Sequence, residues 1–341
     1  MRSVLYTVTG GTDVLTVEER PLPEPGPGEV RVMVHRSGVN PTDWKSRRGA
    51  APGAALEHPQ VPNQDGAGEV DAVGPGVEAA LLGLRVWIWE GAHDRPHGGT
   101  AQEYAVIPAT HAITLPETAS YDLGASLGVP FMTAHRCLTV GEDGPQRLGP
   151  GTLQGRTVLV AGGAGAVGNA AIQLARWSDA TVITTVSSPE KATLARLAGA
   201  DHVVDYTRQD VVAVVGGIAP HGADTIVEVA PAANAALDAQ LVANGGCVAA
   251  YAGTPDDELT LPVRELMTRN ARWQFVLLYT APAGWRRRAL EDIAAAVQDR
   301  AVGVGADHGL PLHHFSLADT AKAHAAVEGG AVGKVLIDVI E

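Results

Sequence analysis

With 341 residues, 45% hydrophobic and 18% charged, the chain is long enough for two ordinary domains and has no tract polar enough to stay disordered. Its formal charge of -13 describes a surface that repels phosphate backbones, so nucleic acid is not an expected partner. No apolar run approaches the ~18 residues of a membrane span, and two cysteines, Cys137 and Cys247, are too few for a disulfide framework and read as small buried hydrophobes.

The first residues carry Asp13, Glu18, Glu19 and Arg20, which interrupt any signal-peptide core and make the cytoplasm the expected location. Up to about residue 125 the pattern is β-rich. Val30-Arg31-Val32-Met33-Val34 alternates with period two after the turn-forming Pro25-Gly26-Pro27-Gly28. Further strands are expected at Gly66 to Gly74, Arg85 to Trp89 and Glu103 to Ile107. Short strands at this spacing imply a compact barrel or sandwich.

The character then changes. Thr157-Val158-Leu159-Val160-Ala161 is a continuous apolar run, as a strand buried on both faces requires. A glycine cluster follows, and then Val167, Ala170, Ala171, Leu174 and Trp177 form an apolar stripe at helical spacing. Strands at Thr181 to Val186, Val203-Val204, Asp224 to Val229 and Gly246 to Ala250 alternate with helices near Pro189 to Ala198 and Ala232 to Val242. Such alternation means βαβ units and a doubly wound parallel sheet. A last helix, Leu317 to Val327, and strand, Val335 to Val339, are expected to fold back onto the first domain. The fold class is therefore α/β with a separate β-rich domain: residues 1–125 with about 285–341 form one discontinuous domain, and 126–284 the other.

The loop after the first buried strand reads Gly162-Gly163-Ala164-Gly165-Ala166-Val167-Gly168 and contains Gly-x-Gly-x-x-Gly from Gly163 through Gly165 to Gly168. Alone the pattern is weak; between a buried strand and a helix it reads as a dinucleotide loop. Without Cβ atoms the chain turns sharply, a pyrophosphate approaches the backbone, and the helix N-terminus offers free N–H groups. About 20 residues on, at the end of the second strand, NAD-specific folds carry an acid for the ribose hydroxyls. Here that position is Val186, followed by Ser187, Ser188 and Lys191. Two hydroxyls and a lysine suit a 2′-phosphate, which favours NADPH; a serine N-cap beside a solvated lysine explains the same residues. Glu190 is expected to point outward.

Gly38-Val39-Asn40-Pro41-Thr42-Asp43, Asp65 to Val70, Val73 to Val77, Gly98 to Tyr104, the loop at 161–168 and Leu197 to Val203, in this order, make the whole chain resemble the medium-chain dehydrogenase/reductases. Within them the chain is similar to the zeta-crystallin-like NADPH:quinone oxidoreductases. The resemblance implies a GroES-like first domain, a Rossmann domain, a cleft between them and a homodimer. Zinc-dependent relatives carry a catalytic Cys where Asn40 stands and a His where Gln64 stands; a third ligand would fall near Val129, and a four-Cys lobe after Trp89. Those positions lack ligands, so no metal site is expected. His93 and His97 are separated by Pro96, and His313 and His314 are adjacent, so neither pair is expected to share a ligand.

The chemistry so implied is hydride transfer to a quinone or an α,β-unsaturated carbonyl. By resemblance Asn40, Asp43 and Gln64 lie near the nicotinamide, with Asn40 able to hydrogen-bond a substrate oxygen, although Asx residues around Pro41 equally suit a turn. Many relatives have a tyrosine where this chain has Lys45, which is either a proton donor or oxyanion partner, or a solvated charge. The resemblance also implies cofactor contacts at Thr133, Tyr206, Ala252 and Gly253, and at Phe275 and Val276 in a strand that pairs across the dimer in relatives. Lys334 either reaches the cofactor or stays in solvent. An enoyl-thioester reductase and a non-catalytic NADPH-binding protein are the alternatives.

Overall fold

The computed structural model describes residues 1–340. The chain forms two compact units, Met1–Val129 with Leu312–Glu341, and Pro130–Pro311.

The first unit begins with β1 (Arg2–Val8), β2 (Thr16–Glu19), β3 (Glu29–Val39), α1 (Pro41–Arg48), β4 (Ala55–Gln60), β5 (Asp65–Val73), β6 (Arg85–Ile88), β7 (Tyr104–Pro108) and β8 (Ala112–Thr114). The alternation read at Val30, Val32 and Val34 is real: all three are fully buried on one face of β3, among Val70, Val86, Ile88 and Ile107. Each such side chain contributes roughly 1.5–3 kcal/mol relative to exposure.

The second unit contains the rest of α2 (Tyr121–Leu138), then β9 (Thr157–Ala161), α3 (Ala166–Trp177), β10 (Thr181–Val186), α4 (Pro189–Leu197), β11 (His202–Asp205), α5 (Val211–Ile218), β12 (Ala223–Glu228), α6 (Pro231–Leu241), β13 (Val242–Ala250), α7 (Val263–Thr268), β14 (Arg272–Phe275) and α8 (Ala283–Gln298). Its six strands run β11-β10-β9-β12-β13-β14, and every pairing is parallel. This 3-2-1-4-5-6 order is the Rossmann arrangement, with its switch point between β9 and β12. Leu159, Ile183, Val204, Ile226 and Val248, one from each of the first five strands, share a core.

The chain returns to the first unit with β15 (Leu312–Ser316), α9 (Thr320–Glu328) and β16 (Lys334–Asp338). β16 pairs antiparallel with the second half of β3, Val335 opposite Val39 and Leu336 opposite Gly38, completing a seven-stranded sheet. The return falls at Leu312 rather than near 285. α8 stays in the second unit because Asp292, on it, accepts hydrogen bonds from the Leu148 N–H and Arg147 and meets His135 on α2.

Candidate functional site

In the second unit the loop from β9 to α3 is built by its glycines in different ways. Gly162 has φ +71°, which favours glycine, and both Gly162 and Gly163 donate N–H to the Thr185 carbonyl. A Cβ at Gly163 would stand 2.2 Å from Thr184 Oγ1, and one at Gly168 would stand 2.4 Å from the Gly162 oxygen. Those two are demanded by packing. Gly165 differs: its φ of -81° suits any residue, and the nearest atom to a Cβ there is 3.5 Å away. It is the N-cap of α3, and no side chain caps that helix. Gly165 is exposed and, among the described residues, no side chain caps the first turn of α3, while Ala164 beside it is buried. A pyrophosphate fits that cradle.

β10 ends at buried Val186, so no carboxylate stands at the ribose position. Ser188 Oγ accepts the Lys191 N–H and caps α4, while Lys191 Nζ donates to Ser187 Oγ at 2.8 Å. The helix-capping explanation therefore holds for Ser188, and Ser187 holds the lysine. Tyr206 donates its N–H to the Val186 carbonyl, which brings its exposed ring to the end of the same strand. Glu190 is exposed, as expected. Thr133 is buried in α2; Ala252 and Gly253 follow β13; Val276 donates its N–H to the Ala250 carbonyl. Phe275 and Leu277 are exposed, whereas Trp273 packs against the core of this unit and Leu278 is buried.

In the first unit α1 opens with Asn40 as N-cap and Pro41 at its first position. Asp43 Oδ2 accepts the Asn40 N–H at 2.7 Å and Oδ1 accepts the Gln64 N–H at 3.1 Å, so Asp43 does serve the turn around Pro41. Gln64 Oε1 accepts the N–H groups of Ala92 and His93 and holds that loop. Asn40 Nδ2 donates to Asp65 Oδ2 at 2.7 Å, and the other oxygen of Asp65 accepts the Val129 N–H at 2.8 Å. Lys334 is neither solvated nor directed outward: it is 1% exposed, and its ammonium donates to Asn40 Oδ1 at 2.7 Å and Asp65 Oδ2 at 3.3 Å.

Burial governs the charges of this cluster. It pushes the Asp43 carboxyl up to about 8, with the Asp65 carboxylate adding to the effect and the two N–H donors and Lys334 opposing it. Burial likewise raises Asp65, against the Lys334 ammonium and the Asn40 amide, and lowers Lys334, against Asp65 and Asp43. Asn40, Asp43 and Gln64 are thus brought together, whereas Lys45 is exposed on α1 with its ammonium 5.9 Å from the Trp44 ring centroid. Sequence reasoning missed Asp65. The signal was a lone acid at the head of the small, apolar run Asp65-Gly66-Ala67-Gly68, where solvent exposure would not be expected.

Among the described residues no three His, Cys, Asp or Glu side chains gather to hold a metal ion. His313 Nε2 meets the Val332 carbonyl and His314 Nδ1 meets Asp338, so the adjacent pair diverges.

Residues 26–117 match the alcohol dehydrogenase GroES-like domain and residues 166–295 the zinc-binding dehydrogenase family. The quinone oxidoreductase of Mus musculus is 32% identical over 73% of this chain and 72% of its own length. The synaptic vesicle membrane protein VAT-1 homolog of Rattus norvegicus is 30% identical over 80% of this chain, which spans 64% of that relative, just under two thirds. The structure of an NAD-dependent alcohol dehydrogenase aligns over 100% of both chains with a TM-score of 0.83 and 30% identity. A mycobacterial protein solved in complex with NADPH aligns over 99% of both with a TM-score of 0.79 and 28% identity. The chain belongs to the medium-chain dehydrogenase/reductase superfamily and is related within it to the quinone oxidoreductases.

Proposed function

We propose that the protein is an NADPH-dependent quinone oxidoreductase that needs no zinc, delivering hydride to a quinone or an α,β-unsaturated carbonyl. The observation that carries this reading is Gly165, a glycine that neither backbone angle nor packing requires, standing open before an uncapped helix N-terminus. The mycobacterial neighbour complexed with NADPH and the quinone oxidoreductase relative support it.

The backbone from Gly163 to Gly168 takes the pyrophosphate. Ser187, Ser188, Lys191 and Tyr206 take the 2′-phosphate, where an acid would repel it. Thr133, Ala252, Gly253, Phe275 and Val276 complete the cofactor contacts. When bound, the dinucleotide supplies the hydride. Asn40 supplies a hydrogen-bond donor for the acceptor oxygen, held by Asp43 and Gln64 through the backbone. Lys45, exposed on α1, serves as a surface charge.

Zinc does not suit the donor set. Asn40 and Gln64 present neutral amides, and Gln64 Oε1 already accepts two N–H groups. We further read the protein as a cytoplasmic homodimer; among the described residues no helix is long and apolar enough to cross a membrane. β14 is an edge strand ending at exposed Phe275, with Leu277, Val263 and Met267 also exposed, and such an apolar edge favours pairing with a second copy.

The test is NADPH oxidation with 1,4-benzoquinone, 9,10-phenanthrenequinone, simple enones and a crotonyl-thioester, run beside elemental analysis. Turnover on quinones or enones without stoichiometric zinc supports the reading. Turnover confined to the thioester, or zinc at one per chain, overturns it.

A further inference from the structure

The Asn40 side chain can sit only one way round. Its Oδ1 accepts from the Lys334 ammonium at 2.7 Å, and its Nδ2 donates to Asp65 Oδ2 at 2.7 Å. All three side chains are at most 2% exposed, so solvent replaces neither partner. Turning the amide over would face N–H toward ammonium and oxygen toward carboxylate, two repulsive contacts where screening is weak. An amide has two hydrogens and two carbonyl lone pairs. Among the described residues Nδ2 has one partner, Asp65, which leaves one Nδ2–H with a fixed direction.

The route by which Lys334 arrives is also built in. It opens β16 directly after Gly333, and β16 lies beside the end of β3. A Cβ on Gly38 of β3 would stand 3.1 Å from both Cε and Nζ of Lys334 and 2.0 Å from the Ala125 carbonyl oxygen. The Ala125 carbonyl makes glycine necessary at position 38, and a methyl group there would also press on the end of the lysine stem.

We infer that Lys334 is a positioning residue: together with Asp65 it locks the Asn40 amide so that the remaining Nδ2–H is presented as a donor to the oxygen of the hydride acceptor. This rests on Asn40 being the acceptor-binding residue of the proposed oxidoreductase.

The decisive variant is the double substitution Lys334→Met with Asp65→Asn, compared with Lys334→Met alone. Removing one partner leaves an uncompensated buried charge, whereas removing both leaves a neutral, similarly sized site. In the double variant the Val129 N–H keeps the amide oxygen at 65 on its own side, so the amide nitrogen faces Asn40 and the native orientation of Asn40 is no longer favoured. The expected result is a melting temperature within about 3 °C of the parent. With it, kcat falls at least ~10-fold while the KM for NADPH stays within about threefold. If kcat recovers together with the melting temperature, Lys334 is merely a counter-charge and the inference fails; it fails equally if Lys334→Met alone keeps the parent kcat.

A second readout needs no turnover. In ¹⁵N spectra the Asn40 amide proton bonded to Asp65 should be shifted downfield and protected from exchange in the parent, and should lose both properties in the double variant. Unchanged protection in the variant overturns the inference. A parent protein that binds NADPH but reduces no acceptor would defeat the functional reading alone, and the amide signals would still decide whether Lys334 and Asp65 hold Asn40.

Discussion

His135 and Asp292, 157 residues apart, meet at 2.8 Å in the interior of the second unit. The Trp285 indole, which can only donate, gives its N–H to His135 Nδ1, so the ring proton sits on Nε2 and points at the carboxylate. Burial lowers the His135 pKa, keeping the ring neutral, while hydrogen bonds from His135, the Leu148 N–H and Arg147 outweigh burial and lower Asp292. Asp292→Ala strands all three donors, and we expect a loss of about 3–5 kcal/mol in urea unfolding. A loss below ~1 kcal/mol would mean that water replaces the carboxylate.

The three glycines of the dinucleotide loop should separate stability from binding. Gly163→Ala and Gly168→Ala drive a methyl group to 2.2 Å and 2.4 Å from fixed atoms and should lower the melting temperature by several degrees. Gly165→Val meets no such obstacle within the chain. It should leave melting nearly unchanged while weakening NADPH binding, followed by fluorescence titration, ~100-fold or more. Full affinity in that variant would remove the pyrophosphate from this loop.

Lys191 should decide between the two nicotinamide cofactors. Lys191→Glu places a carboxylate next to Ser187, where the 2′-phosphate is proposed to lie. The KM for NADPH should rise at least ~10-fold more than that for NADH. Equal changes in both constants would detach this lysine from cofactor choice.

Acid should weaken the first unit through His324. Its Nε2 meets Asn63 Oδ1 at 2.9 Å, Nδ1 has no hydrogen-bond partner among the described residues, and burial pulls its pKa down to about 3, with the Arg47 guanidinium adding to the effect. The unfolded imidazole, with its ordinary value of 6.5, binds a proton that the folded one refuses. Its contribution to stability is therefore complete above 6.5 and declines as the pH falls toward 3, by up to about 1.4 kcal/mol per pH unit. His324→Gln should flatten the stability profile between about pH 6 and pH 4. An identical acid slope in that variant would place the titrating group elsewhere.

If the exposed end of β14 is covered by a second copy, Phe275→Glu should yield monomers in light scattering at micromolar concentration. A dimer that survives the substitution would assign the interface to another surface.

Much of the fold was legible because it is written in local periodicity. Val30, Val32 and Val34 alternate, the run Val158 to Ala161 does not, and each landed in the kind of sheet its period demands. The glycine loop between β9 and α3 was legible from local sequence as well, its glycines lying within seven residues of one another. Lys334 was not: a lysine before a strand carries no mark of a carboxylate 269 residues earlier, and only the β16–β3 register brings the two together. The point of return at Leu312 was hidden likewise, since it depends on Asp292 reaching side chains far back along the chain.

The placement of β16 also orders the events of synthesis. The second unit has its complete sheet once residue 275 has left the ribosome, but the first cannot close its sheet or neutralise Asp65 until Lys334 to Asp338 are made. The half translated first is thus the half finished last. Until β16 is made, the nascent chain carries an unpaired flank on β3.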